Sequence, residues 1–244
     1  MIELTGDNAY FIPPKNRYGL SKKETFDLTE KDFTITVKVK IDWDSMMLGT
    51  ATHEGGIVAK NGRHCGLSAI KTGENQCYIK AQFWTWVSRE VGVEFHDTWI
   101  DVNQNKDWMS CAMVHDKAKK IVTCYVDGQE SKISYSGEII DYRDSWIWVG
   151  CNNSLDSCSP EHRGFLYGSI KHISIFESAL SITDIKKTYN VEEKDDINFD
   201  LEPCGVYSFN PIWTTPYKVM DITQNGNSMI LFDKKWMATE TQIL

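Results

Sequence analysis

From Phe33 to Trp43 apolar and polar residues alternate without a break. Phe33, Ile35, Val37, Val39 and Ile41 stand on one side, with Thr34, Thr36, Lys38, Lys40 and Asp42 on the other. That is the period of a half-buried β-strand with its apolar side toward a core. Weaker runs of the same kind occupy 56–60, 65–71, 76–87, 108–115, 120–127, 145–150 and 167–176. Turn-forming residues separate them at 72–75, at 116–119 and at Asp127 and Gly128. Ser181 followed by Asp184 has capping-box spacing and predicts one short helix over 182–188. The charged run from Glu192 to Asp196 reads as a solvated linker or loop, and further strand-like runs follow at 205–210, 217–223 and 228–232. Many strands, one helix and closely spaced turns predict an all-β fold, an antiparallel sandwich or barrel.

Within 76–87 the alternation has a second consequence. Cys77, Ile79, Ala81 and Phe83 fall on one face, and Tyr78, Lys80, Gln82, Trp84 and Trp86 on the other. The first set has the better claim to the core, because Ile79 and Ala81 carry no polar side-chain atom. The second mixes aromatic rings with hydrogen-bonding groups. Pyranose rings have apolar C–H faces that stack on indole and phenol rings, and hydroxyl rims that need polar partners. Tyr78, Lys80, Gln82, Trp84 and Trp86 are therefore candidate carbohydrate-binding residues, with Trp43 and Trp99 as further aromatic candidates. The alternative is that these rings pack beneath the C-terminal strands.

Composition narrows the field. The 244 residues carry 26 Lys plus Arg against 34 Asp plus Glu, a net charge of −8, and no basic cluster that would hold a phosphate backbone. Nucleic acid is not an expected partner. No run of eighteen apolar residues would insert in a membrane, and the first seven residues show no leader-like pattern. The seven cysteines form no CxxC pair or zinc spacing, which predicts reduced, buried thiols with at least one unpaired. No glycine-rich phosphate loop and no histidine ligand spacing is present, so no cofactor is expected.

Several short motifs occur in an order that resembles the concanavalin-A-like lectin/glucanase superfamily, in its laminin-G-like and pentraxin-like domains. Leu4 to Phe11 resembles the opening strand, Phe33 to Thr36 the "FTIS" strand, and Ile57 to Lys60 the "IVSK" strand. Trp108 to Ala112 stands where "WHHVA" is expected, Tyr125 to Gly128 reads "YVDG", and Tyr167 to Ile185 follows the closing strand and helix. Gly205 to Asn210, with Asp221 to Asn227, resembles a segment that usually precedes the opening strand. The resemblance implies a jelly-roll β-sandwich of two antiparallel sheets over 1–190. The remainder, 191–244, is expected to be a linker plus strands completing the same sandwich, since three strands cannot bury a core alone.

The resemblance also implies site residues. Its register turns Ile147 and Val149 inward and sends Trp146 and Trp148 outward, placing Trp148 with the aromatic face and Trp108 in the core. Asn152 and Asn153, with Asp42 and Asp144, would supply a hydrogen-bonding rim. A four-residue turn at 116–119 would set Cys111 opposite Cys124, and the family register turns both inward. Family glucanases carry an E-x-D-x-x-E triplet; the nearest approach here, Glu90 to Glu94, lacks the middle acid, so a catalytic role is not expected. Pentraxins bind Ca²⁺ with carboxylates where this chain offers Asn152 and Asn153; Asp141, Asp144 and Asp156 leave a calcium site open as an alternative. The expected function is a non-catalytic, lectin-like module, part of a larger protein, whose partner is carbohydrate or a glycosylated protein. The alternatives are a protein–protein interaction or structural sandwich, as in an adhesin or virion appendage, and a divergent polysaccharide-active enzyme.

Overall fold

The computed structural model describes residues 1–6, 8–12, 31–46, 54–60, 65–140, 147–152, 164–189, 199–209, 214–215, 218–223 and 228–233. In chain order the strands begin with β1 (Ile2–Thr5), β2 (Asn8–Ile12), β3 (Phe33–Ile41), β4 (Gly55–Lys60), β5 (Cys65–Gly73), β6 (Gln76–Ser88) and β7 (Gly92–Val102). Next come β8 (Met109–Asp116), β9 (Ile121–Val126), β10 (Gln129–Ser134), β11 (Glu138–Ile139), β12 (Ile147–Val149) and β13 (Cys151–Asn152). The series closes with β14 (Gly164–Phe165), β15 (Tyr167–Phe176), β16 (Pro203–Ser208), β17 (Thr214–Thr215), β18 (Lys218–Val219) and β19 (Met229–Asp233). Among the described residues one α-helix, α1 (Ile182–Lys187), and a 3-10 turn at Phe199–Leu201 lie between β15 and β16. None of the described helices is long and apolar enough to cross a membrane.

Two antiparallel sheets enclose one core. The first runs β1-β15-β3-β8-β9-β10, and β16 pairs with the same edge of β15 as β1, further along it. The second runs β17-β18-β19-β2-β12-β4-β5-β6, with β7 on the far edge of β6 and β11 continuing the β5 edge. The faultless run at 33–41 forms β3, the centre of the first sheet, and Phe33, Ile35, Val37 and Val39 are fully buried. They meet Ile79, Ala81 and Phe83 from β6 in the core between the sheets. Alternation alone explains this packing, because each strand has one apolar face and the sheets bury those faces together. The outcome is the expected all-β jelly-roll sandwich.

Helix α1 covers part of the opposite side of the first sheet. Ser181 Oγ accepts the Asp184 amide, and Ile185 packs with Ala112, Val114, Tyr125 and Tyr189. Beside it His172, 1% exposed, has no hydrogen-bond partner at Nε2 among the described residues.

Three sequence expectations require correction. Cys111 pairs with Val126 and Cys124 with Met113, so the hairpin register is shifted by two residues from the expected one. Asp116 remains in the ladder opposite Ile121, its Oδ1 accepts the Lys119 amide, and Lys120 closes the turn at φ 50°. A shift of two preserves the face, so both thiols stay buried and reduced. Trp108 is half-buried rather than core, with Lys171 Nζ 4.8 Å from its ring centroid. Strand β7 does not stand among the expected strands at all, for a reason that bears on the site.

Burial lowers the His172 pKa from 6.5 to about 4. The unfolded chain therefore takes up this proton in a range where the folded chain resists it. Its contribution to stability is complete above about pH 6.5 and is lost as pH falls through about 4, a difference of ~3 kcal/mol. Urea midpoints measured at pH 7.5 and 4.5 should therefore fall less for His172→Gln than for the native chain. An equal fall in both would show that another group carries the acid sensitivity.

Candidate functional site: the outward face of β5, β6 and β7

Strand β6 sends Cys77, Ile79, Ala81, Phe83 and Thr85 into the core, each 2% exposed or less. Period two then turns Tyr78, Lys80, Gln82, Trp84 and Trp86 to the other side. Strand β7 is antiparallel to β6 and sets Asp101 opposite Tyr78, Trp99 opposite Lys80, Asp97 opposite Gln82, Phe95 opposite Trp84, and Val93 opposite Trp86. Over 93–99 of β7 the usual pattern is reversed, before Ile100 and Val102 return apolar side chains to the core. Glu94, His96 and Thr98 point inward, where His96 stacks on Phe83 and shares a 2.9 Å hydrogen bond with Thr85, while Val93, Phe95 and Trp99 point out. Among the described residues seven large hydrophobics are exposed, and Trp86, Val91, Val93, Phe95 and Trp99 are five of them. That concentration in one hairpin is an aromatic strip, interrupted by Asp97 between Phe95 and Trp99, and not scattered surface residues. From Val93 to Trp99 it runs for roughly 20 Å along the strand.

The rings within the strip are ordered by one another. Tyr78 meets Trp99 edge-on with centroids 5.3 Å apart, and Trp84 meets Phe95 at 5.2 Å. Between these pairs Lys80 Nζ lies 5.2 Å from the Trp99 centroid and 5.4 Å from that of Phe95, within cation–π range.

Beside the rings lies a buried polar layer. Lys80 Nζ is 2.5 Å from Glu54 Oε1 and 3.7 Å from Asp97 Oδ2, with Lys80 and Glu54 almost fully buried and Asp97 at the rim. Gln82 Nε2 donates to Ser68 Oγ at 2.9 Å, and Asn152 Nδ2 donates to Ser68 Oγ at 3.2 Å and to the Glu54 carbonyl at 3.3 Å. Two glycines permit this close assembly. A Cβ on Gly164 would stand 1.7 Å from the Glu54 carbonyl oxygen, and one on Gly56 would stand 2.3 Å from the Cys151 carbonyl carbon. Two acceptor atoms of the layer, Glu54 Oε2 and Gln82 Oε1, have no partner among the described residues.

The structure thus brings Tyr78, Lys80, Gln82, Trp84, Trp86 and Asn152 to one region but divides them by role. The rings of Trp86 and, half-buried, Tyr78 and Trp84 belong to the strip, whereas Lys80, Gln82 and Asn152 form the buried layer. Expected as an open rim, the amides of Gln82 and Asn152 are instead bound to Ser68, because a buried amide needs partners. Trp148 does not join the strip: at 2% exposure it packs with Ala9, Cys151, Phe11 and Phe165. Trp43 is likewise core. Asn153, Trp146, Asp141, Asp144 and Asp156 lie outside the described residues. Missing from the sequence reading were Glu54, Ser68, Val93, Phe95 and Asp97. The alternation of 93–99 was available as a signal, but there Glu94, His96 and Thr98 take the inward side, and periodicity does not say which set is inside.

Two antiparallel sheets around a single core, with an aromatic strip left open on one of them, define a β-sandwich of the jelly-roll class. The chain belongs to the concanavalin A-like lectin/glucanases superfamily, whose laminin-G-type family model matches residues 15–186. No curated protein matches it. Among solved structures it resembles a Bacteroides ovatus protein described as a candidate carbohydrate-binding protein, at 12% identity and TM-score 0.60. That match covers 95% of this chain and 60% of the other, so the chain spans less than two thirds of that relative. A heptameric pentraxin from Limulus polyphemus matches at 11% identity and TM-score 0.48, over 75% of this chain and 82% of that one. A carbohydrate-binding module of a Ruminococcus gnavus sialidase, solved with α2,3-sialyllactose, matches at 12% identity and TM-score 0.49, over 78% and 96%. At such identities the likeness is one of fold.

Removing one partner of the buried ion pair should cost far more than removing the rim charge. Glu54→Ala leaves the Lys80 ammonium buried without its nearer carboxylate and is expected to lose about 3–5 kcal/mol in urea unfolding. Asp97→Ala is expected to lose ~1 kcal/mol or less. Equal losses would show that Asp97 shares the Lys80 charge equally.

Proposed function

We propose that this protein is a non-catalytic, lectin-like module that binds carbohydrate, or a glycosylated partner, on the outward face of β5, β6 and β7. One observation carries the reading. Strand β7 buries Thr98 and turns the half-buried His96 toward Phe83 while it leaves Phe95 and Trp99 open beside Trp86. A strand that places polar side chains against the core and rings against water loses stability twice, unless the rings have a ligand. Stacking on a pyranose is the contact such rings suit, since one ring face covers the apolar C–H face of a sugar while hydroxyls reach polar groups at the edge. Asp97 and Asp101 supply acceptors at that edge. The name of the Bacteroides ovatus relative points the same way.

Replacement of an open ring should weaken binding without unfolding the chain. Trp99→Ala and Trp86→Ala are each expected to reduce affinity for an array-identified glycan by roughly ten- to thirtyfold, or about 1–2 kcal/mol. Isothermal titration with the unfolding midpoint as control makes the measurement. Met220→Ala, at an exposed residue on the distant β18 side of the sheet, should leave affinity unchanged. Full binding by a Trp86, Phe95 and Trp99 triple alanine variant would move the site elsewhere.

A further inference from the structure

The charges around the aromatic strip are one-sided, and this sets which glycans the face accepts. Within the described strands the outward side of β5 to β7 carries one cation, Lys80, and faces three carboxylates, Glu54, Asp97 and Asp101. In the hairpin turn the exposed Arg89 is matched in charge by its neighbour Glu90. The cation is not available to a ligand. Glu54 Oε1 and Asp97 Oδ2 take up its charge, the Trp99 and Phe95 rings flank it, and it is almost fully buried. Asp101 is exposed and has no cationic partner among the described residues. Glu138, at the β11 end of the strip, is balanced by Lys120 at 3.1 Å and changes nothing.

The neutral polar atoms point in the same direction. The unpartnered groups of the buried layer, Glu54 Oε2 and Gln82 Oε1, are both acceptors, on side chains 3% and 0% exposed. Beneath a ring-lined surface, where the effective dielectric is low, their partial charges add to the field of the carboxylates. The two buried oxygens act through that field alone, and a ligand that dries this face meets the Asp97 and Asp101 carboxylates as acceptors in need of donors. Hydroxyl groups provide them. A carboxylate or sulfate brings only more acceptors and a charge of the wrong sign.

We propose that the site, read as carbohydrate-binding above, takes neutral, hydroxyl-rich glycans and rejects acidic ones bearing sialic acid, uronate or sulfate. This rests on the carbohydrate reading but can fail separately from it. The rejection is electrostatic, held by Asp97, Asp101 and Glu54 against a neutralised Lys80.

The test is an array of matched glycan pairs, each neutral oligosaccharide printed beside its sialylated, uronate-bearing or sulfated counterpart. The native chain, verified as folded by its urea transition, should bind the neutral member at least about tenfold more tightly at low ionic strength. That ratio should narrow at ~0.5 M salt, where exposed charges are screened. It should also narrow severalfold in an Asp97→Asn, Asp101→Asn double variant. Equal or stronger binding of the acidic members would overturn the inference and leave carbohydrate binding standing. A preference indifferent to both salt and the double variant would overturn it too, since the selection would then be steric. Binding of no glycan by the folded protein would remove this inference and the carbohydrate reading together, and leave the strip to a protein partner.

Discussion

A β-strand has two faces, and a sandwich can bury only one of them against the opposing sheet. Everything in this structure follows from which set of side chains each strand turns inward. On β3 and β6 the choice is made by the chain itself, since Phe33, Ile35, Val37 and Val39 on the one, and Ile79, Ala81 and Phe83 on the other, belong in a core. On β7 the choice is imposed. Its register with β6 places Glu94 beside Thr85, His96 beside Phe83 and Thr98 beside Ala81, all on the core side. The rings of Phe95 and Trp99 have no alternative but the outside.

The polar groups turned inward on β7 are accommodated because partners are at hand. His96 stacks on Phe83 and bonds Thr85, and Thr98 Oγ1 lies 2.6 Å from Ser131 Oγ of β10 on the other sheet. Sheet closure and site formation are therefore one event. The edge that brings β7 against β10 also fixes which way Trp99 points.

Behind the strip, the buried Lys80–Glu54 pair links the platform to the body of the second sheet. An ion pair so placed contributes little net stability against an apolar replacement, yet losing one member is costly. What it supplies is position. It holds the Lys80 stem between Trp99 and Phe95, and it draws 54–56 against 150–152 and 164, where Gly56 and Gly164 allow the approach. A structural role for the pair and a recognition role for the rings are thus compatible, and the glycan reading depends on the rings.

Local residue order determined much of this protein. The faultless alternation of 33–41, the capping pair Ser181 and Asp184, and the outward set on 76–87 follow from side-chain period and capping chemistry, which act over a few residues. Motif order was enough for the superfamily. Tertiary structure decided what depends on distant partners. Trp148 has the right parity for the platform, but its neighbours Ala9, Phe11 and Phe165 come from β2 and β14 and close over it. Gln82 and Asn152 have the right chemistry for a rim, but they meet across Ser68, fourteen residues from the one and eighty-four from the other. The Cys111 register moved by two because Lys120 adopts a left-handed turn conformation. Period specifies that a strand has two faces; only the packing of one strand on another decides which of them meets water.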